Sequence, residues 1–115
     1  MNYSDETERL RALYTHEYPL ESGDINYIWH PRNPVSIYYR QAQERALVSM
    51  FNAVGLQLKT LRVLDVGSGS GAFLRFLASL GCQPSLLYGV DLIPARLHAA
   101  RRQGPETIHY IQYRE

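Results

Sequence analysis

Between Arg62 and Asp91 the chain passes through an apolar run, a turn of alternating glycines, a helix-like stretch and a second apolar run closing on an acid. The first run, Val63-Leu64-Asp65-Val66, breaks into Gly67-Ser68-Gly69-Ser70-Gly71. Phe73, Leu74, Leu77 and Leu80 follow at helical spacing up to Gly81, and Leu86-Leu87-Tyr88-Gly89-Val90 then ends on Asp91. Such a strand, turn, helix and strand form a crossover unit, whose two strands lie parallel in one sheet. In the strand Leu61–Val66 the neighbours Val63 and Leu64 point to opposite faces, and both are apolar. This predicts burial on both faces, as in parallel sheets.

The pattern continues beyond Asp91. Pro94 opens a helix with Leu97 and Ala100 facing inward, Gly104-Pro105 ends it, and Ile108–Tyr113 reads as a third strand. The result is βαβαβ. Right-handed crossovers predict the spatial order 3-2-1, with the Leu61–Val66 strand at an edge although its sequence suits a central position. Upstream, Asn33-Pro34 reads as an N-cap with proline at the first helical position, and Gly55 as the matching stop. Between them Leu47, Met50, Phe51 and Val54 form a stripe that should face a core. Ser4, followed by Asp5 and Glu6, predicts a first helix that fades near Thr15. The segment from His16 to Arg32 is irregular and ring-rich, with Tyr18, Tyr27 and Trp29, and is more easily a packed flap than a binding surface.

At 115 residues the chain holds one domain at most. A formal net charge of +1 gives no electrostatic reason to expect nucleic acid or acidic lipid as a partner. Cys82 is the single cysteine, so an intrachain disulfide is excluded, and a small buried side chain is the simple reading of it. The N-terminus lacks a basic start and an apolar core, and no apolar run approaches membrane-spanning length. A cytoplasmic location is expected. His16, His30, His98 and His109 show no ligand spacing, so no metal site is expected.

The glycine turn carries the chemistry. Residues without Cβ let a ligand lie against the backbone, and the helix that follows aims free N–H groups and a positive dipole end at the same place. Asp91, at the carboxyl end of the next strand, is placed to accept hydrogen bonds from both hydroxyls of a ribose. The spelling Gly67-x-Gly69-x-x-Ala72 also satisfies a permissive dinucleotide fingerprint. Two features count against a nicotinamide or flavin cofactor. Asp65 puts a negative charge beside the turn, which would repel a pyrophosphate and suit an amino group. The third glycine, Gly71, comes one position early for the dinucleotide helix contact. These details favour S-adenosylmethionine.

Val63 to Gly71 resembles motif I of the class I S-adenosylmethionine-dependent methyltransferases, and Gly89-Val90-Asp91-Leu92 with Pro94-x-Arg96-Leu97 resembles their second motif. The stretch from Asn33-Pro34 to Leu47 is similar to the lead-in helix of small-molecule enzymes of the type-11 group. The resemblance implies an α/β, partial Rossmann-like methyltransferase fold: the first three parallel strands with flanking helices, behind an N-terminal helical segment. It implies an N-terminal helix and aromatic loop over 1–34, a possible lid, and a truncated cofactor-binding domain over 35–115. Cofactor contacts would come from Asp65, Gly67, Ser68, Gly69, Gly71, Asp91 and Leu92, with Asp65 near the methionine amino group and Asp91 on the ribose.

The departures are informative too. The family sheet has seven strands, and the residue that meets the adenine amine and the fourth-strand motif would both fall beyond Glu115. The sequence thus looks like the N-terminal half of a methyltransferase for a small-molecule acceptor, inactive alone and prone to self-association or to pairing with a missing C-terminal half. It names no catalytic residue. The rival readings are a nicotinamide- or flavin-dinucleotide-binding domain and a non-catalytic binding or assembly fragment.

Overall fold

The computed structural model describes residues 3–16 and 23–114, so Tyr18 and Pro19 of the aromatic segment lie outside the described residues. The chain divides into two compact units, one formed by Met1–Leu20 with Gln57–Glu115 and the other by Glu21–Leu56.

In the first unit, α1 (Tyr3–His16) precedes β1 (Val63–Val66), α3 (Ala72–Leu80), β2 (Leu87–Asp91), α4 (Pro94–Gln103) and β3 (His109–Gln112). The strands are all parallel, in the order β1-β2-β3, so the expected βαβαβ topology stands with β1 at an edge. In register, Asp65 lies beside Gly89, and Gly89 beside Tyr110. Two right-handed crossovers running in the same direction carry both helices to one face of the sheet. There Leu74 and Leu77 of α3 and Leu97 and Ala100 of α4 pack, fully buried, with Leu87 of β2. This is the core.

β1 departs from the expected burial. Its residues alternate between partly buried and exposed, with Leu64 at 61% and Val66 at 78% exposure. Because α3 and α4 share one face, only the Val63 and Asp65 side of β1 is covered by them. The first helix starts at Tyr3, two residues before the Asp5 that a Ser4 cap implies, so Ser4 lies inside its opening turn with Asp5 and Glu6. Cys82 is buried and free, and burial pushes its thiol up, as the simple reading of that residue requires.

The second unit carries α2 (Pro34–Val54). Asn33 caps it by accepting a hydrogen bond from the Val35 N–H at 2.9 Å, and Gly55 ends it in the left-handed conformation with φ 72°. The apolar stripe of α2 does not face a core: the helix has no buried residue. Its own unit contains no other helix or strand among the described residues to cover the stripe.

Candidate functional site

The chain leaves β1 at Val66 and turns back on itself. The N–H groups of Gly67 and Ser68 both donate to the Val90 carbonyl of β2, at 2.8 and 3.0 Å. Those bonds hold the turn against the carboxyl end of the neighbouring strand. The Gly69 N–H then donates to Asp91 Oδ2 at 2.8 Å, and the Ile93 N–H to Asp91 Oδ1 at 2.9 Å. One carboxylate thereby fixes the glycine turn and the segment leading into α4. Each oxygen retains a second lone pair for a ligand. Gly69 adopts φ 56°, a conformation that a side chain makes costly.

Beside this carboxylate lies a cavity of about 330 Å³. Gly67, Gly69, Asp91 and Leu92 line it, four of the seven residues expected at the site, together with Val66, Val90, Ile93, Arg96, Tyr113 and Tyr14. The cavity is thus an apolar chamber with one acid at its edge, at the carboxyl ends of parallel strands. Open α/β sheets bind ligands there.

Asp65, Ser68 and Gly71 are not in the cavity wall. Ser68 and Gly71 belong to the turn itself, and Asp65 precedes it in β1. Asp65 shares a cross-strand row with Gly89 and Tyr110, and burial, with a further contribution from Asp91, raises its carboxyl above the ordinary range. Gly89 leaves a slot in that row: a Cβ there would stand 2.7 Å from Ser68 Oγ and 2.9 Å from Tyr110 Cδ1. Gly71, at φ 83°, leaves a second, since a Cβ would collide with the Tyr110 hydroxyl. Tyr110 and Ser68 fill these slots at 7% and 8% exposure, and their hydroxyls have no hydrogen-bond partner among the described residues. Burial raises the Tyr110 phenol, with Asp65 adding to the shift and Arg75 opposing it. The last glycine of the turn therefore serves packing: it admits Tyr110 beneath the turn.

Tyr14, Ile93, Arg96 and Tyr113 were not legible as site residues. Arg96 had a signal, because Pro94 opens a helix immediately after the Asp91 strand, so its first turn borders the strand ends. Tyr14 had none: it reaches the cavity from α1, and its carbonyl accepts a hydrogen bond from Arg96 Nη2, 82 positions away, at 3.5 Å. Two histidines are occupied structurally. The Arg32 N–H donates to His30 Nδ1 at 3.1 Å, and His109 stacks on Tyr88 with centroids 4.6 Å apart.

A parallel sheet with a glycine turn and a strand-end acid around one cavity defines a Rossmann-like nucleoside-binding unit. Residues 64–115 match the family described as Methyltransferase domain. The ubiquinone biosynthesis O-methyltransferase of Xanthomonas oryzae pv. oryzae is 34% identical over 85 residues, which are 74% of this chain and 29% of that protein. Among solved structures, magnesium protoporphyrin IX methyltransferase from Synechocystis PCC 6803 with bound SAM superposes with a TM-score of 0.66 at 19% identity, covering 96% of this chain and 56% of that one. The same enzyme with bound SAH gives 0.59 at 21% identity, over 96% of this chain and 47% of that one. The chain is thus similar, in these motifs and in its fold, to the class I S-adenosylmethionine-dependent methyltransferases. It spans 29% of the length of the curated relatives it matches.

Proposed function

We propose that this chain binds S-adenosylmethionine across the carboxyl ends of β1 and β2, as the cofactor-holding part of an enzyme that methylates a small-molecule acceptor. The observation that carries this reading is the Gly69 N–H to Asp91 bond at 2.8 Å, which brings the two motifs into one cleft. The cavity suits the cofactor: its apolar walls match a nucleoside, and the free lone pairs of Asp91 match ribose hydroxyls. When bound, the cofactor supplies a methyl group made electrophilic by a sulfonium. The residues here bind and orient it. Gly67 and Gly69 let it approach the backbone, Asp91 and Leu92 border the ribose, Ser68 and Gly71 set the packing of the turn against Gly89 and Tyr110, and Asp65 precedes the turn in β1. From there the Asp65 carboxylate adds negative potential that favours a cation above it.

In-line methyl transfer depends on positioning and exclusion of water, and we assign no acid or base here. Residues 1–34 are proposed as a lid over the cofactor-binding domain of 35–115, supported by Tyr14 in the cavity wall. The exposed Leu64 and Val66 and the edge position of β1 support pairing along that strand, with further polypeptide or with a second copy. A single, buried cysteine supports a reducing, cytoplasmic setting.

Equilibrium dialysis with labelled S-adenosylmethionine, NAD⁺ and FAD tests the reading. Saturable retention of the methyl donor, displaced by S-adenosylhomocysteine, is expected. Retention of a dinucleotide in its place would overturn it.

A further inference from the structure

β3 forms the edge of the sheet opposite β1. Alternate residues of a parallel strand turn their N–H and C=O groups to the same side. The Tyr113 N–H donates to the Asp91 carbonyl at 2.9 Å, so Tyr113 and Ile111 face β2, and Tyr110 and Gln112 direct their backbone groups outward. Arg101 of α4 reaches that outer side, where its Nη2 donates to the Tyr110 carbonyl at 2.7 Å. Between α4 and this edge runs a groove of about 410 Å³. Arg101, Arg114 and Gln112 give it polar groups, and Pro94, Leu97 and Ile111 give it apolar surface. It shares no lining residue with the cavity beside Asp91.

Donors outnumber acceptors in this groove. A strand added to an edge needs outward C=O as well as N–H groups, and Arg101 already occupies the Tyr110 carbonyl. The outward N–H groups of Tyr110 and Gln112 donate to no backbone carbonyl among the described residues. Each guanidinium adds five N–H donors in a planar fork that matches an oxyanion. Arg101 uses one of them on Tyr110, and Arg114 pairs with no acid among the described residues. No carboxylate lines the groove. Asp91, opposite Gln112 in register, is held by the Gly69 and Ile93 N–H groups and lines the other cavity. We propose that the groove is a second binding site, for a small apolar molecule that carries a carboxylate or a phosphate, with Arg101 and Arg114 as its cations. The Tyr110 carbonyl orients the Arg101 fork before the ligand arrives, which lowers the ordering cost of binding.

Amide NMR titrations of the chain with inorganic phosphate, phenyl phosphate and benzoate, at constant ionic strength, test this. Phenyl phosphate or benzoate should saturate and move the Tyr110 and Gln112 amide signals, while those of Gly67 and Gly69 stay in place. The better of the two identifies the oxyanion. Inorganic phosphate should move the same signals with weaker affinity, because it leaves Pro94 and Leu97 uncovered. Arg101→Gln and Arg114→Gln should each weaken the better ligand about tenfold, the scale of a lost charged hydrogen bond. Arg102→Gln, next along α4 but outside the wall, should bind within about twofold of wild type. Unsaturated shifts, shifts centred on Gly67 and Gly69, or equal affinity in Arg101→Gln, Arg114→Gln and wild type would overturn the inference.

Discussion

The two faces of the three-stranded sheet are built from the same strands and follow opposite rules. On the face carrying α3 and α4, Leu87 is fully buried, and Gly89 and Gly71 are reduced to hydrogen at Cα so that Ser68 and Tyr110 fit. On the other face Leu64, Val66 and Ile111 are apolar yet more than half exposed. Strand alternation explains how one segment serves both. The difference teaches where the site gets its rigidity: the covered face holds the turn, and the turn holds Asp91. The exposed face carries side chains suited to burial, and no element of the unit described here buries them.

The comparison breaks if core truncation is harmless. Leu74→Ala on the covered face should cost about 2–5 kcal/mol of unfolding free energy in urea titrations, whereas Leu64→Ala should cost well under 1. Next in size is Gly71→Ala, expected to cost about 2–3 kcal/mol through its left-handed backbone and its collision with Tyr110. Trimming the obstacle tests the cause, since Gly71→Ala combined with Tyr110→Ala should lose less than the sum of the single changes.

A smaller effect follows from Asp65. Its carboxyl is raised in the folded protein, first by burial and then by Asp91, so the folded state holds that proton more tightly than the unfolded chain. Stability should therefore fall as pH rises from the ordinary carboxylate range, about pH 4, through the raised value, with the penalty complete above it. Asp65→Asn should stabilise the chain at neutral pH and flatten that decline, as read by denaturation midpoints across pH. Smallest in stability is the exposed face. Leu64→Thr with Val66→Thr should change unfolding by about 0.5 kcal/mol or less but reduce self-association in light scattering.

Local signals made most of this fold legible. The alternating glycines, the apolar runs on either side and Asp91 fix a strand–turn–helix–strand unit within thirty residues, and crossover handedness then orders the sheet. Asn33-Pro34 and Gly55 marked the ends of α2 for the same reason. Pairing across distance stayed hidden. Nothing in the spelling of Gly71 says that it makes room for Tyr110, and nothing near Tyr14 points to Arg96. The burial of β1 was misjudged on one side because two apolar neighbours report what a strand could bury, whereas the positions of α3 and α4 decide what it does bury.

The central claim is that Asp91, tied to the glycine turn, makes the cofactor cleft. Calorimetric titration of S-adenosylmethionine into wild type and Asp91→Ala tests it most directly. The account predicts one site in the wild type, weakened by about 1.5–3 kcal/mol in the variant, through loss of charged hydrogen bonds to the ligand and to Gly69. Equal affinity in the two proteins would contradict it.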